Sequence, residues 1–479
     1  MLKQAAYARY LSNKCIGFSQ VQSPHASALK SLTNDQVKGR LVMGSKNLWH
    51  DAKWSRPAVQ DIEMALLRAA AFPDFSRQSG LKHEFVVLDP STREETPAHE
   101  DIIERISYTA AQMKIGATVV GNQSSARYGA GGFPLSSEEL SGLPQAEFAA
   151  ALATLRERIG WVLSGSRFAQ NRHIFLPQFD YATLAIIIDL MSDLEPETRP
   201  FIHLASRHDA TQLAHAGKFG TLERLGQAIY HLNADKPCIF LYGWSARVAQ
   251  RLTLQSGIGV QPLDLPADPA LCVDPSEQPD RLTVGFFSAA RRESGFDCVD
   301  AVVRAANESA NSARRMRFIV QIKPASGSED DRAFVAAQRA RLMSVPERNV
   351  TVIDEYMPRP LYMNAISHCD AIMVLHPASQ GPTERVSLTA QNAMAAGKLV
   401  LSFEDVDLAG TVKSRVLKAR DTRMMGEIIT DLASELSSVR TASRVSRDAF
   451  SAMQRPSRLF AQLLYGPLIL ANAAGHDSI

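Results

Sequence analysis

The sequence predicts an α/β protein with two consecutive domains, each built on a parallel β-sheet. Short apolar segments typical of buried strands alternate along the chain with segments of helical spacing. The alternation runs from about residue 84 to residue 260, stops in a Pro-rich stretch and restarts at residue 282. The length of 479 residues suits two or three domains, and a content of 45% apolar and 21% charged residues is ordinary for a globular protein.

The first domain is predicted over residues 81–270. Its strands are short apolar runs, and the stretches between them have helical length and spacing. Because parallel strands need a long crossover, which a helix usually supplies, the helices should cover both faces of the sheet. We expect strands at 84–90, 117–122, 173–176, 201–204 and 238–242, and helices at about 101–114 and 144–163.

The second domain is predicted over residues 279–430, after a Pro-rich linker at 266–280. Two consecutive α/β units of this kind indicate two facing Rossmann-like domains. An N-terminal extension at 1–80 and a helical tail at 431–479 complete the predicted organisation. Within the second domain we expect strands at 282–287, 317–322, 350–353 and 371–375, and helices at 296–308, 331–343 and 360–367.

Charge and composition exclude several classes of protein. A formal net charge of +2 provides no field for binding a polyanion, so we expect no nucleic-acid partner. The five cysteines show no paired spacing, which argues against a zinc site or a disulfide framework and suits a reducing, cytoplasmic compartment. No apolar run approaches the roughly 20 residues that a membrane helix needs.

The first 34 residues are basic and contain no acidic side chain. They lack the apolar core of a signal peptide, so secretion is not expected. One interpretation is a basic helix that contacts anionic lipid, peripherally, at the inner face of the membrane. The other is a polar extension of unknown role, and we adopt it as the expectation.

Two strand ends in the second domain carry candidate binding residues. In an open parallel sheet, ligands bind at the carboxyl ends of the strands. Arg291 follows the strand at 282–287 and precedes Gly295 and a predicted helix start, so it could hold a departing diphosphate with fixed positive charge. His376 directly follows the strand at 371–375 and could contact a sugar or a phosphate.

A third candidate is the stretch that runs from Pro382 to Val400. We interpret it as a short helix that leads through a small-residue turn into a buried strand. On such a helix Glu384 and Asn392 lie about 80° apart at 100° per residue, on nearly the same face. A helix N-terminus that carries Glu384, Arg385 and Ser387 suits a phosphorylated, hydroxyl-rich ligand.

This set of residues resembles the donor site of GT-B glycosyltransferases, in particular those of family four. The resemblance covers roughly residues 82–430 and is strongest at 281–402. The family motif has Glu, seven residues, Glu and then Ala-Met-Ala-x-Gly-Lys-Pro-Val-Val, and in this chain Asn392 replaces the second Glu. A second family motif, Ala-Arg-x-Glu-Lys-Gly-Phe, matches residues 290–296 with Ser294 in place of the Lys.

The resemblance implies roles for these residues. The diphosphate of a nucleotide sugar would lie near Arg291 and Ser387, Glu384 would contact the transferred sugar, and Asn392 would stand at the ribose. In the first domain, the stretch from Asp89 to His99 is similar to an acceptor-side loop of the family, which implies that His99 faces the cleft. The predicted catalytic residues are His99 and Glu384, and the predicted donor-binding residues are Gly285, Arg291, His376, Glu384, Arg385, Ser387 and Asn392.

The resemblance implies a hexosyltransferase-type enzyme, retaining and independent of metal, with a nucleotide sugar as substrate and no cofactor. Its acceptor would be a glycan or a lipid-linked molecule of polysaccharide biosynthesis, and its tail would cross back onto the first domain. Two alternatives stay open, namely a catalytically inactive glycosyltransferase-like scaffold and a sugar-nucleotide epimerase. The departures at Ser294 and Asn392 motivate the scaffold, and the oligomeric state is open.

Overall fold

Two six-stranded parallel sheets follow one another along the chain and confirm the predicted fold class. The computed structural model describes residues 84–441, with gaps, together with 443, 447 and 459–465. The predicted extension at 1–80, and the predicted linker apart from residue 280, lie outside the described residues. The gaps are at 92–96, 114, 124–131, 136–139, 141–142, 165–171, 209–212, 214–217, 264–279, 289, 309–313, 323–328, 355–356, 358, 377–382, 386, 409–414 and 442.

The first sheet has the strand order β2-β1-β3-β4-β5-β6. Its four central strands are buried because helices cover both sides of the sheet. The strands are β1 Glu84–Leu88, β2 Ala117–Val120, β3 Arg172–Leu176, β4 Phe201–Ser206, β5 Ile239–Gly243 and β6 Gln261–Pro262, and the helices are α1 Pro97–Gln112, α2 Gln145–Ser164, α3 Tyr181–Ser192, α4 Leu222–Asp235 and α5 Ala246–Ser256.

The second sheet has the order β14-β12-β10-β7-β8-β9, and β11 pairs with β13 in a separate two-stranded sheet. The strands are β7 Leu282–Phe286, β8 Met316–Gln321, β9 Val350–Ile353, β10 Ala371–Val374, β11 Thr383–Arg385, β12 Leu399–Phe403, β13 Val406–Leu408 and β14 Val416–Ala419, and the helices are α6 Val299–Ala306, α7 Glu329–Met343, α8 Arg359–Ser367, α9 Leu388–Ala395 and α10 Thr422–Ser434.

Each sheet contains one point at which the strand order reverses. In the first sheet the chain proceeds outward from β1 to β2 on one side and from β3 to β6 on the other. In the second sheet it proceeds from β7 to β9 on one side and from β10 to β14 on the other. Loops diverge at such points and leave a crevice at the carboxyl ends of the strands, so ligands are expected beside β1 and β3 and beside β7 and β10.

Several helices begin where a short polar side chain can accept a backbone N–H hydrogen bond. Such caps satisfy donors that have no partner inside the helix. Asp180 and Thr183 form a reciprocal capping box at the start of α3. Thr221, Ser245 and Asp421 accept in the same way at the starts of α4, α5 and α10.

The C-terminal segment packs on the first domain, as the resemblance implies. Leu459, Phe460 and Leu463 are buried in the cluster that contains Phe85 of β1 and Phe175 of β3. The Phe460 ring meets the Phe85 ring edge to face, with 5.0 Å between centroids.

None of the helices that the structure describes combines the length and the apolar character needed to cross a membrane.

Three local predictions are corrected by the structure. Residues 383–385 form β11, which pairs with β13, and α9 begins only at Leu388. Glu384 therefore does not share a helical face with Asn392. The predicted helix at 296–308 starts as a 3₁₀ turn before α6, and the predicted helix at 331–343 begins earlier, because α7 starts at Glu329.

Candidate active site

Arg291 and His376 follow the two neighbouring strands β7 and β10, at the point where the order of the second sheet reverses. Arg291 is exposed, and its carbonyl oxygen accepts hydrogen bonds from the backbone N–H groups of Ser294 and Phe296, both at 3.2 Å. These bonds fold residues 291–296 into a tight loop at the carboxyl edge of the sheet. The structure therefore brings the predicted arginine to the expected crevice.

Gly295 holds this loop against the end of β10. Its φ of 72° lies in the left-handed region, which disfavours residues with a Cβ. A Cβ at this position would also overlap the carbonyl oxygen of Leu375, the residue before His376. Because only glycine meets both conditions, the Arg291 loop is packed directly beside the strand end that carries His376.

The loop places its positive charges differently from the family motif, because it has Arg291 and Arg292 but no lysine at position 294. Ser294, at the position of the family lysine, is half-buried and uncharged. The neighbouring Arg292 stacks over the Phe334 ring, with 5.3 Å from its Cζ atom to the ring centroid. Arg291 is exposed at the carboxyl edge of the sheet.

Ser387 lies at the N-cap of α9, as its predicted role requires. Its buried side-chain oxygen accepts a hydrogen bond of 3.2 Å from the backbone N–H of Ala390. A hydroxyl keeps its own O–H as a donor while its oxygen accepts, so Ser387 can cap the helix and donate to a ligand oxygen. Glu384 and Arg385 precede it on β11, whose backbone pairs with Asp407 and Leu408.

Gly285 has a packing role that differs from its predicted role in donor binding. It lies inside β7 between Ile319 and Ile372 on the neighbouring strands. A Cβ there would collide with the Phe287 ring and approach the Cys369 sulfur. The residue is therefore small because core side chains fill the space beside it, and it does not lie at the strand end.

His99 lies beside the carboxyl end of β1, in the first turn of α1. The sequence resemblance placed it in a loop, but α1 begins at Pro97. The buried His99 ring makes a 2.8 Å contact from Nδ1 to Oδ2 of Asp89, the residue that follows β1. Since a carboxylate only accepts hydrogen bonds, Nδ1 must donate, and in the tautomer with Nδ1–H the other ring nitrogen, Nε2, is a hydrogen-bond acceptor.

Asp89 is held in turn by the backbone. Its second carboxylate oxygen accepts a hydrogen bond of 3.0 Å from the N–H of Ser91. With both oxygens engaged and 1% exposure, Asp89 fixes the orientation and tautomer of the His99 ring. Sequence reasoning noted Asp89 as part of a loop resemblance and did not assign it to the site, because only the folded chain shows the pairing with His99.

Asn392 contacts the first domain, which does not fit the predicted ribose contact. Its Oδ1 atom accepts a hydrogen bond from Nη2 of Arg105 at 2.5 Å, and its Nδ2 atom donates to Oδ2 of Asp101 at 3.2 Å. The adjacent Gln391 accepts from Nη1 of Arg105 at 3.1 Å. Arg105, Gln391 and Asn392 are all buried, and both ends of the Asn392 amide point at α1.

A second arginine completes this contact from the side of α8. Arg359 donates from Nε to Oδ1 of Asp101 at 2.5 Å and from Nη1 to Oε2 of Glu104 at 3.3 Å. Burial raises the pKa of Asp101, but the attraction of Arg105 and Arg359 outweighs it and holds the pKa below its ordinary value. Asp101 is thus a carboxylate at neutral pH.

The contact between α1 and α9 joins the two domains close to two predicted site residues, His99 and Ser387. His99 is only two residues before Asp101 on α1, and Ser387 immediately precedes α9. The bonds of Asp101 to Arg359 and Asn392 therefore place the His99 end of α1 against the second domain.

In the part of the chain that the structure describes, no group of three or more His, Cys, Asp or Glu side chains is arranged to hold a metal ion.

No protein-family model matches the sequence, and no curated protein matches it. Solved structures do match. The α,α-trehalose 6-phosphate synthase of Burkholderia multivorans aligns over 82% of this chain and 99% of its own, with 11% identity and a TM-score of 0.57. A glycosyltransferase of Rickettsia africae aligns over 82% and 99%, with 11% identity and a TM-score of 0.55.

A third similar structure, from E. coli, is described as trehalose-6-phosphate bound with UDP-2-fluoro glucose. It aligns over 82% of this chain and 99% of its own, with 10% identity and a TM-score of 0.50. At these identities the likeness establishes the fold. Together with the two parallel sheets, it shows that the chain has the GT-B arrangement of two Rossmann-like domains.

Proposed function

We propose that this protein is a glycosyltransferase that moves a sugar from a nucleotide-sugar donor to a hydroxyl group of an acceptor. The observation that carries the proposal is the pairing of two crevices. His99 and Asp89 lie at the crevice of the first sheet, Arg291 and His376 lie at the crevice of the second, and the contact between α1 and α9 joins the two domains. A reaction between two bound substrates needs such a pair of facing sites.

The donor would bind to the second domain. Transfer breaks the bond between the anomeric carbon and the diphosphate, and the leaving diphosphate gains negative charge. Arg291 and the N-terminus of α9, with the hydroxyl of Ser387, are groups that stabilise such charge. His376 and Glu384 would contact the sugar and Arg385 the phosphates, as the family resemblance implies. The E. coli neighbour bound with UDP-2-fluoro glucose supports a nucleotide sugar as the donor class.

The acceptor would bind to the first domain beside His99. Its hydroxyl oxygen forms a bond to the anomeric carbon as the bond to the diphosphate breaks, and its proton passes to Nε2 of His99. Because Asp89 holds Nδ1 of His99 as a donor, Nε2 can accept a hydrogen bond from that hydroxyl and orient it. Following the resemblance to family four, we further infer retention of configuration, independence of metal, a glycan or lipid-linked acceptor, and action in the cytoplasm.

Calorimetric titration with a panel of nucleotides and nucleotide sugars tests the donor site. We expect one donor to bind to the wild type and its affinity to fall at least about tenfold in Arg291→Ala, since a hydrogen bond to a charged group contributes about 1.5–3 kcal/mol. Arg292→Ala is the matched control, because it removes the same charge from the next residue, whose side chain stacks on Phe334. Absence of binding to every compound at millimolar concentration would exclude the proposed function.

A catalytically inactive scaffold is the second candidate, and the position of Asn392 favours it. The residue that the family uses for ribose is engaged with the first domain instead. Release of nucleoside diphosphate in the presence of acceptor separates the two candidates. An enzyme turns over the donor and loses this activity in His99→Ala, whereas a scaffold binds the donor without releasing the diphosphate.

A further inference from the structure

The bonding of Asn392 requires an amide at this position. Arg105 can only donate hydrogen bonds, and it directs Nη2 at Oδ1 of Asn392. Asp101 can only accept, and it receives the N–H of the same amide at 3.2 Å. An asparagine side chain satisfies a donor and an acceptor at once. A carboxylate at position 392 could still accept from Arg105, but it would turn a second negative charge toward Asp101.

The surrounding charges balance. Two acids, Asp101 and Glu104, face two arginines, Arg105 and Arg359, and side-chain exposure among the four is at most 12%. Removing one member leaves a buried charge without its counter-charge, which strongly destabilises the contact. Separating the domains, by contrast, would return all four groups to water together. A balanced ionic contact of this kind holds two domains while gaining little from burial itself, so it can open and close.

We infer that Asp101, Arg105, Arg359, Gln391 and Asn392 form an interdomain latch, and that position 392 of this chain has exchanged nucleotide binding for control of domain closure. The latch holds the His99 end of α1 against the second domain. Asn392 is a positioning residue in this account, because it acts through α1 and not on a ligand. The inference rests on the contacts between the domains and does not require the proposed glycosyl transfer.

Small-angle X-ray scattering of the full chain, with and without UDP, tests the latch. Asn392→Asp places a carboxylate next to Asp101, so we expect a larger radius of gyration than in the wild type. The double variant D101N/N392D restores a donor and an acceptor on opposite sides of the contact, so it should return the radius of gyration toward the wild-type value. If Asn392 acted only within the second domain, a second substitution in the first domain would not be expected to restore the radius of gyration.

Asn307→Asp is the matched control. Asn307 is a buried amide that pairs with Asn349 inside the second domain, at 3.1 and 2.9 Å, and it has no part in the latch. We expect it to lower the melting temperature without changing the radius of gyration. Arg359→Gln removes the bond between α8 and Asp101 without changing a residue of α9. If Asn392→Asp does not fold, Arg359→Gln is the variant with which the latch is tested.

Asn392→Glu separates the latch from the ribose contact that the family resemblance implies. If Asn392 is a latch residue, Asn392→Glu should raise the radius of gyration and should leave UDP affinity unchanged or weaker. The inference is overturned if Asn392→Glu tightens UDP binding tenfold with an unchanged radius of gyration. It is also overturned if folded Asn392→Asp and Arg359→Gln both keep the wild-type radius of gyration, or if Asn307→Asp expands the chain equally. None of these outcomes depends on turnover.

Discussion

Arg105 of the first domain donates a hydrogen bond to Asn392 of the second, across 287 positions of sequence. Arg105 is fully buried, and it also bonds to Gln391 and to Asp101. This one side chain therefore connects α1, the helix that follows β1, with α9, the helix that follows β11. It is the structural reason that a substitution at position 392 concerns both domains.

Replacing Arg105 by methionine should destabilise the protein by about 3–5 kcal/mol, because the change leaves Asp101 buried without one of its two arginines. Urea unfolding measures the free energy of unfolding. Arg156→Met is the control, since Arg156 pairs with Asp189 at the surface, where both side chains are largely exposed, and exposed pairs contribute about 0–1 kcal/mol. Equal losses in the two variants would contradict the role given to Arg105.

Gly295→Ala should displace the Arg291 loop and weaken nucleotide binding. The new methyl group would be strained at a φ of 72° and would also overlap the Leu375 carbonyl oxygen. Gly257→Ala is a matched control, because Gly257 has the same φ of 72° and no atom lies within 4 Å of its Cβ position. We expect a loss of stability of about 1–2 kcal/mol from the control, a larger loss in Gly295→Ala, and reduced UDP affinity in Gly295→Ala alone. A Gly295→Ala variant with wild-type UDP affinity would refute this account of the loop.

Asp89→Asn should slow sugar transfer at least about tenfold, because the loss of a charge-assisted hydrogen bond of about 1.5–3 kcal/mol frees the His99 ring to change orientation and tautomer. Steady-state measurement of kcat and KM with the identified donor and acceptor checks this. The defect should fall on kcat or on the acceptor KM and leave donor affinity unchanged. If Asp89→Asn instead lowered donor affinity and left kcat and the acceptor KM unchanged, His99 would act at the donor and not at the acceptor hydroxyl.

The latch should be insensitive to pH between 5 and 8 and should fail in acid. The pKa of Asp101 is lowered in the folded protein, so its contribution is complete above the unfolded pKa of about 3.9 and disappears as the pH falls through the lower folded value. The difference in melting temperature between the wild type and Asp101→Asn should therefore be constant from pH 5 to pH 8 and shrink below about pH 4. If the difference in melting temperature already became smaller near pH 6, a group other than Asp101 would be responsible for the pH dependence.

His203 should give the first domain a separate acid sensitivity. It is fully buried, its Nδ1 atom meets the Tyr242 hydroxyl at 3.1 Å, and burial lowers its pKa from 6.5 to about 3. Between about pH 6.5 and pH 3 the unfolded chain therefore binds a proton at this residue and the folded chain does not. The free energy of unfolding consequently decreases as the pH is lowered through this interval. His203→Gln should flatten this slope in urea unfolding measured from pH 7 to pH 4. An unchanged slope would show that His203 is protonated in the native state.

Most strands of the two sheets could be predicted from the sequence because their burial leaves continuous apolar runs, such as those at 85–88 and 371–375, whereas the edge strands β6 and β14 were not predicted. The positions of Arg291, His376 and Ser387 follow from those strands and from the reversal of strand order. The helix predicted at Glu384 was wrong because three residues that pair with β13 cannot be distinguished by periodicity from the first turn of a helix.

The latch was not predictable in the same way. Asp101 and Arg105 are spaced four residues apart, which indicates only a pair on one helical face. Their partners Arg359 and Asn392 lie more than 250 residues away, and no local pattern specifies a contact between side chains on different domains. Asp89 and His99 are only ten residues apart, but one follows a strand and the other lies in a helix, so no single periodicity relates them and their pairing became evident only in the folded chain.

A crystal structure of the protein with bound UDP tests the account most directly. We predict that the diphosphate lies within hydrogen-bonding distance of Arg291 and Ser387, at the crevice between β7 and β10, while Asn392 keeps its bonds to Arg105 and Asp101. A structure in which the ribose hydroxyls bind to Asn392 would contradict the latch, and one in which the diphosphate lies away from Arg291 would contradict the proposed donor site.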